Sequence, residues 1–377
     1  MEEEYHLSLP SKNDLSNKNV AFISQSCEKA TNTFLKRIVL EENNCEEMTK
    51  NVMNAIQYEK YGGGSAGLKE VEVGIPSPKK KEVLVKVEAV SINPLDWKIQ
   101  KGLLRPLFFP GNFPHTPCTD IAGEVVQIGP QVKDFKVGDK VLALLNTRYG
   151  GGMAEFAVAS ESLTASRPPE VSAAEAAALP IAALTARDAL IQIAGLKLDG
   201  TDKPKNVLVT AASGGVGHYA VQLAKLGNHH VTATCGARNI EVVKGLGADE
   251  VVDYRTPEGA ALKSPSGRKY DAVINCTSGI AWSIFEPNLS EKAVVVELTP
   301  NPSSFITAAL KKISFSKKRL VPFFVVVKRE GLENLVQLLK DGKLKSLIDS
   351  KFPLTKAQDA WAKSLDGHAT GKIIVEP

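Results

Sequence analysis

The stretch from Asn206 to Gly227 has the residue types, in the order, that could hold a phosphate group. Val207 to Thr210 predict a buried strand, small residues follow, and apolar residues from Val216 onward recur at helical spacing. At the start of such a helix, free N–H groups and the positive end of the dipole face an anion. Ala211 stands where a dinucleotide motif usually has its first glycine, so a tight turn without a ligand stays an alternative. The candidate cofactor-binding residues of this turn are Ser213, Gly214, Gly215, Val216 and Gly217.

The end of the following strand indicates which dinucleotide the turn would hold. An NAD site usually has Asp or Glu about 20 residues after the glycines, where it binds the ribose hydroxyls. Here the strand ends in the run Cys235 to Arg238, which contains no carboxylate. Arg238 could bind the 2′-phosphate of NADP through charge-assisted hydrogen bonds, with Lys244 and Tyr254 completing the pocket. The sequence therefore predicts NADPH as the cofactor, unless Arg238 only solvates the start of a helix.

Lys98 and Asn93 are the candidate catalytic residues. Lys98 lies on a short predicted helix after the Asn93-Pro94 turn, from which its ammonium could reach the nicotinamide ribose or a substrate carbonyl. Asn93 could orient the nicotinamide or the substrate. A surface lysine and a simple turn residue remain the alternatives, because lysines are mostly exposed and Asn is frequent in turns. His218 is interpreted as a partly exposed packing residue and not as an acid or base.

Further candidates lie where the predicted strands end, because ligands bind at the carboxyl edge of a parallel sheet. Cys276 and the pair Leu298-Thr299 follow two such strands directly. The backbone around Phe324 could meet the nicotinamide carboxamide. Thr185, predicted to open the helix before the nucleotide-binding region, could touch the cofactor from the hinge.

The elements that must position these residues fall into two kinds. After residue 206, strands alternate with helices, which predicts a doubly wound parallel sheet of the Rossmann type and an α/β fold. Before it, many short strands with Gly and Pro turns predict a partly open β-barrel. The expected boundaries are 1–52 for a poorly ordered extension, 53–180 for the catalytic domain, 181–329 for the nucleotide-binding domain and 330–377 for a returning segment.

Three individual elements are predicted with definite bounds around the candidate site. A single helical segment should run from Ala173 to Ile193, a helix should cover Ile280 to Leu289, and a strand should cover Leu320 to Val327. Together they would connect the two domains and complete the far side of the parallel sheet.

Composition excludes several classes of function. A formal charge of +4 is small for 377 residues and does not support a nucleic-acid-binding protein. The 5 cysteines are odd in number and far apart, which argues for a reducing compartment and against a disulfide framework or a zinc finger. No apolar run approaches the ~20 residues of a membrane span. A basic cluster is usually a solvated face but could contact an anionic membrane; it consists of Lys311, Lys312, Lys317, Lys318 and Arg319.

Four motifs carry a family resemblance: S-I-N-P-L-D-W-K from Ser91, D-I-A-G-E-V-V-Q-I-G from Asp120, V-G-D-K-V from Val137 and G-H-A-T-G-K-I-I-V from Gly367. With the glycine turn, they make residues 53–377 resemble the zinc-free medium-chain dehydrogenase/reductases of the quinone oxidoreductase, or ζ-crystallin, branch. Within that branch, residues 53–377 are similar to the plant chloroplast envelope members. The resemblance implies a GroES-like catalytic domain, a peripheral position on the inner chloroplast envelope without a cleaved signal, and Lys372 as a cofactor-side residue. A homodimer is compatible with the sequence. Residues 1–52 depart from the pattern.

The same resemblance bears on zinc. The positions of the zinc-binding Cys and His of metal-dependent relatives fall at Asn93 and Thr119, and neither residue ligates zinc well. His115 and Cys118 offer only two ligands, too few for the usual four-coordinate site. We therefore predict no metal, and without a Lewis acid the oxidation of an alcohol loses its means of stabilising an alkoxide.

The predicted activity is hydride transfer from NADPH to the C=C bond of an α,β-unsaturated ketone or aldehyde, including long-chain lipid-derived ketols. Hydride attack at the β-carbon leaves an enolate, which hydrogen-bond donors can stabilise. Two alternatives remain open on the sequence. One is an NADPH:quinone reductase, and the other is a non-catalytic NADPH-binding protein at a membrane surface.

Overall fold

The computed structural model describes residues 52–105 and 113–377 of the chain. Residues 1–51, which make up nearly all of the predicted extension, lie outside the described residues. Two large sheets contain most of the strands, and a short two-stranded sheet stands beside them. The strands of the small sheet are β1 (Val52–Gln57) and β2 (Lys69–Gly74).

Six strands form a parallel sheet, as the alternation of strands and helices predicts. Every neighbouring pair in it runs parallel. In chain order its strands are β8 (Asn206–Val209), β9 (His230–Cys235), β10 (Glu250–Asp253), β11 (Tyr270–Asn275), β12 (Leu289–Glu297) and β13 (Arg319–Pro322). They are arranged β10-β9-β8-β11-β12-β13, so the strand order reverses between β8 and β11. Ligands of doubly wound sheets bind at the carboxyl ends of the strands beside such a reversal.

Helices alternate with these strands, and buried apolar side chains from both form two clusters, of which the larger contains residues of β8 and of the helix that follows it together. Val207, Val209, Ala220 and Leu223 are fully buried in it, which explains why the strand run and the helical spacing of the sequence are both apolar. The helices of this half are α4 (Gly217–Leu226), α5 (Ile240–Gly245), α6 (Pro257–Ala260), α7 (Trp282–Phe285), α8 (Pro302–Ile313) and α9 (Arg329–Lys340).

A seven-stranded mixed sheet forms the other half and corresponds to the predicted barrel-like region. The central strand pairs antiparallel with three neighbours, and the last strand of the chain is one of them. The strands are β3 (Glu82–Ile92), β4 (Asp120–Ile128), β5 (Lys140–Leu144), β6 (Phe156–Ser160), β7 (Thr164–Ser166), β14 (Ile348–Pro353) and β15 (Lys372–Glu376). The C-terminal segment therefore contributes two strands, β14 and β15, to this sheet.

The remaining helices lie around the mixed sheet and between the two sheets. Asn93 begins the first of them with a capping box, in which Asp96 accepts a hydrogen bond from the Asn93 N–H. These helices are α1 (Pro94–Gln100), α2 (Ala173–Ala177), α3 (Pro180–Asp188) and α10 (Ala357–Asp366). Within the described part of the chain, no helix is both long enough and apolar enough to cross a bilayer.

Three element predictions are wrong in detail. The expected single helix over 173–193 is divided into α2, α3 and a π-helical turn at Ala189–Ile193, because Pro180 starts a new helix. The expected helix over 280–289 has only α7 and a 3-10 turn, since Pro287 interrupts it. The expected strand over 320–327 ends at Pro322, after which residues 323–328 adopt no regular structure.

Candidate active site

The glycine turn lies between β8 and α4, at the carboxyl edge of the parallel sheet. A Cβ at Gly217 would lie 2.3 Å from the Ala211 carbonyl oxygen, so this position requires glycine. Helix α4 has no side-chain cap at its start. The N–H groups of Gly215, Val216 and Gly217 form no hydrogen bond with any described residue. The turn therefore presents free donors at a helix N-terminus, which suits an anionic phosphate group.

The C-terminal segment packs directly against this turn. The N–H of Gly371 donates to the Ser213 carbonyl over 2.8 Å. A Cβ at Gly215 would lie 3.3 Å from Cδ of Lys372, so the lysine stem passes under the turn. Asn239 extends the contact, because its Nδ2 donates to Ser213 Oγ and its Oδ1 accepts from Thr370. Asn239 was not predicted, because it lies in no recognisable motif, whereas Thr370 lies in the G-H-A-T-G-K-I-I-V motif, from which only Lys372 was singled out.

Asn93 and Lys372 meet in the interior. Nζ of Lys372 donates to Oδ1 of Asn93 over 2.5 Å, and Nδ2 of Asn93 donates to Oδ2 of Asp120 over 2.9 Å. The second hydrogen of Nδ2 points to the Ser91 carbonyl. Asn93 is 2% exposed and Lys372 is 3% exposed. The Asn93 amide is thus engaged within the protein on both its oxygen and its nitrogen.

Burial shifts the pKa values of the charged groups in this cluster. Loss of solvation raises the pKa of Asp96 to about 7 and that of Asp120 to about 6, while the nearby Lys372 ammonium opposes both shifts. Burial lowers the pKa of Lys372, and the two carboxylates act against that change. Because Lys372, Asp96 and Asp120 are all buried, the charged form of each is stabilised by the opposite charge beside it.

Lys98 lies on α1, one turn after Asn93. Its side chain is half-buried, and loss of solvation lowers the pKa of its ammonium. Nζ lies 5.7 Å from the centroid of the Trp97 ring. Among the residues that the structure describes, none forms a hydrogen bond or an ion pair with this ammonium. The N–H groups of the Lys98 ammonium are therefore available to donate to a ligand, as the proposed catalytic role requires.

A buried polar network joins the carboxyl ends of three adjacent strands. Thr210 Oγ1 donates to Asn275 Oδ1 over 2.6 Å and accepts from the N–H of Cys276. Asn275 Nδ2 donates to Glu297 Oε2 over 2.8 Å. Glu297 in turn accepts from the N–H and the hydroxyl of Thr299. The network fixes the backbone at Cys276 and Thr299, two of the predicted cofactor positions, and its buried members were not predicted.

The residues proposed for the adenosine end follow the outer strands of the sheet. Arg238 lies in a 3-10 turn after β9, is exposed, and donates to the His368 carbonyl. Tyr254 follows β10 and is 45% exposed. The structure thus brings both residues to the carboxyl edge of neighbouring strands, whereas Lys244 pairs with Glu241 over 2.9 Å.

Four other predictions need correction or placement. Thr185 does not open a helix, since it lies inside α3, which begins at Pro180. His218 is fully buried, not partly exposed; it bonds the Gly214 carbonyl and accepts from the Leu347 N–H, and burial lowers its pKa to about 4. Leu298 directly follows β12, and Phe324 lies two residues after β13 with 47% of its surface exposed. The structure therefore keeps His218 in a packing role.

The expected zinc position contains no suitable set of ligands. Within the described residues, no group of three or more His, Cys, Asp and Glu side chains is placed to hold a metal ion. At the position where metal-dependent relatives would have a thiolate, Asn93 instead accepts a hydrogen bond from an ammonium. His115 and Cys118 line a small pocket with Tyr58 and Asp96, and burial lowers the pKa of His115 to about 4.

Two family profiles match the chain. The one described as alcohol dehydrogenase GroES-like domain matches residues 79–169, and the one described as zinc-binding dehydrogenase matches residues 246–375. The first match covers β3 to β7 of the mixed sheet, and the second covers β10 to β13 of the parallel sheet together with β14 and most of β15 of the mixed sheet.

Whole-chain comparisons extend the similarity. The chain is 66% identical to a chloroplast envelope quinone oxidoreductase homolog of Arabidopsis thaliana, over 88% of this chain and 100% of that protein. It is 32% identical to an NADPH-dependent alkenal/one oxidoreductase of Arabidopsis thaliana, over 86% of this chain and 80% of that protein. The solved structure of the quinone oxidoreductase from Coxiella burnetii matches 86% of this chain and 99% of its own chain, with a TM-score of 0.76 and 29% identity.

Proposed function

This chain belongs to the quinone oxidoreductase branch of the medium-chain dehydrogenase/reductase family, and we propose from this premise that it reduces enones with NADPH. The reaction adds a hydride to the β-carbon and a proton to the α-carbon of an α,β-unsaturated ketone or aldehyde. NADPH becomes NADP⁺, so electrons and protons balance. The observation that carries the proposal is the glycine turn with free N–H groups, beside a buried cluster in which Asn93, at the position of a zinc ligand by the family resemblance, accepts a hydrogen bond from the Lys372 ammonium.

The cofactor is proposed to be NADPH, and several features support it. Free N–H groups at the start of α4 suit the pyrophosphate. Arg238 and Tyr254 are at the edge where an adenosine 2′-phosphate would lie, and no carboxylate follows β9 to repel it. Membership of a family of pyridine-nucleotide oxidoreductases agrees with this. The residues proposed to bind the remainder of the cofactor are Thr185, Ser213, Cys276, Leu298, Thr299 and Phe324, while Lys372 lies against the glycine turn on the protein side.

The side chains have separate proposed roles in the reaction. When bound, NADPH supplies the hydride. Lys98 donates a hydrogen bond to the substrate carbonyl oxygen, on which negative charge collects as the β-carbon is reduced. Its half-buried ammonium has no competing partner among the described residues, which supports this role. The proton for the α-carbon comes from solvent, directly or through a relay.

Zinc does not fit this site, and no step is derived through it. A catalytic zinc needs three protein ligands drawn from Cys, His, Asp and Glu. Asn93 is a poor ligand, and the Lys372 ammonium bonded to its oxygen would repel a divalent cation. The family description of a zinc-binding dehydrogenase therefore does not extend to metal binding by this chain under our proposal.

Quinone reduction is the second candidate, favoured by the name of the relative that is 66% identical. A quinone contains the same conjugated C=C–C=O unit, so the same donor and the same hydride could act on it. A protein that only binds NADPH at a membrane surface is the third reading. All three share the cofactor site, and substrate turnover separates them.

We further propose a peripheral position at the inner chloroplast envelope and assembly as a homodimer. The similarity to chloroplast envelope proteins supports the location. The basic cluster at 311–319 offers charge for contact with anionic lipid, although Lys311 and Lys317 are partly neutralised by Glu286 and Glu291.

The proposal is tested with purified full-length protein, NADPH and a panel of substrates. We expect NADPH to be consumed with enones of increasing chain length, with the saturated ketone as product by mass spectrometry. Saturated ketones of the same length are the control and should not consume NADPH. Turnover of quinones alone would favour the second candidate. NADPH binding without any turnover would leave only the binding protein.

A further inference from the structure

Three buried residues from distant parts of the chain form a continuous hydrogen-bonded row. Lys372 is the first residue of β15, Asn93 caps α1, and Asp120 is the first residue of β4. The two bonds that join them are 2.5 Å and 2.9 Å long. All three side chains are at most 3% exposed. We name Lys372, Asn93 and Asp120 the buried row.

Each end of the buried row contacts a different flank of the proposed cofactor site. At one end, Lys372 passes under Gly215, and the preceding residue, Gly371, donates to Ser213. At the other end, Asp120 Oδ2 accepts from the N–H of Ile181, in the first turn of α3, over 3.0 Å. Helix α3 packs against α4, the helix that the glycine turn begins. The row therefore connects the mixed sheet with the turn and with the helix behind it.

The members of the row hold one another in place. A buried ammonium is stable only when hydrogen-bonded and balanced by charge. Asn93 supplies the hydrogen bond to Lys372, while Asp120 supplies negative charge and orients the Asn93 amide. Both the oxygen and the nitrogen of the Asn93 amide are hydrogen-bonded within the protein. Asn93 therefore acts on the cofactor by holding Lys372 and Asp120 in place and not by donating to it.

We propose that Lys372 and Asp120 are positioning residues, which hold the glycine turn in its NADPH-binding form by way of Asn93. The inference rests on the proposed function only for the identity of the cofactor. It removes Asn93 from direct contact with substrate and adds Asp120, which no sequence motif singles out as functional. It also explains why the last strand of the chain returns to the catalytic half.

The test uses the full-length protein with three variants: Lys372→Met, Asp120→Asn and the double variant. Lys372→Met keeps the stem but removes the charge, and Asp120→Asn keeps the shape. We expect each single variant to weaken NADPH binding by about tenfold, a size reached by coupling between contacting residues. The double variant should bind better than the product of the two single effects predicts, because neither unpaired charge remains. Lys351→Met, on the exposed edge strand β14, is the matched control and should bind NADPH normally.

NADPH affinity is measured by fluorescence titration, and folding by thermal melting of each variant. Unchanged NADPH affinity in single variants that are folded would overturn the inference, even if their melting temperatures fall. Strictly multiplicative effects in the double variant would overturn it too. Should Lys372→Met not fold, Asp120→Asn alone decides between these outcomes. If wild-type protein binds NADPH but reduces no enone, the proposed function fails while this test still stands.

Discussion

Replacing Arg238 with alanine is expected to raise the Michaelis constant for NADPH about 30-fold, because a hydrogen-bonded charge pair contributes roughly 1.5–3 kcal/mol. The Michaelis constant for NADH should stay within about twofold, because NADH lacks the 2′-phosphate that Arg238 is proposed to bind. The guanidinium is exposed and close to the end of β9, so it can turn toward the phosphate without a large loss of solvation. Initial rates with both cofactors at a saturating enone concentration give the two constants.

Arg268→Ala is the matched control for this prediction. Arg268 is also exposed but precedes β11, and therefore lies at the amino edge of the same sheet. Its replacement should leave both Michaelis constants unchanged. Equal losses for NADPH and NADH in Arg238→Ala would show that Arg238 acts on a part that both cofactors share. A preference of the wild-type protein for NADH would contradict the choice of NADPH itself.

Replacing Lys98 with methionine is expected to lower kcat about 100-fold, the loss typical when one donor to a developing oxyanion is removed. Methionine keeps an unbranched side chain against Trp97, so the packing of α1 should persist. The affinity for NADPH should change little, because the proposed contact is with the substrate. Rapid measurement of NADPH oxidation gives kcat, and fluorescence titration gives the affinity.

Lys101→Met is the control, since the Lys101 ammonium also lies near the Trp97 ring, 4.9 Å from its centroid, but Lys101 is exposed. The pH dependence adds a second readout. Only the protonated ammonium of Lys98 donates, and burial lowers its pKa. As the pH rises, kcat should therefore begin to fall at a lower pH than it would with a fully exposed lysine. In Lys98→Met this fall should be absent. A variant with normal kcat would remove Lys98 from the reaction.

Much of the fold could be predicted because its signals are local. The strand at Val207–Val209, the glycines that follow and the helix pattern after Val216 all stand within one short stretch, and the structure has each of them. The helix α8 was not predicted, although Asn301 caps it and Pro302 starts it. Its apolar side chains Phe305, Ile306, Leu310 and Ile313 are exposed. The lysines at its end were interpreted only as part of a basic cluster.

The candidate site could be predicted only in part because its central contacts are not local. Lys372 and Asn93 are 279 positions apart, and their contact depends on the antiparallel pairing of β15 with β3. Nothing in the sequence fixes that register in advance, so the burial of Lys372 and the role of Asp120 could not be predicted. The network of Thr210, Asn275 and Glu297 was missed for the same reason, since it joins three strands side by side. Arg238 could be proposed from the sequence because its signal, a missing carboxylate after a glycine motif, is local.

Isotope tracing tests the central claim of metal-free reduction by NADPH most directly. The protein is incubated with an enone and NADPH that carries deuterium at C4 of the dihydronicotinamide, one diastereomer at a time, in buffer containing a metal chelator. The predicted result is a saturated ketone with one deuterium on its β-carbon from one of the two diastereomers, formed at the same rate without the chelator. A product without deuterium from either diastereomer, or activity that disappears with the chelator and returns with zinc, would contradict it.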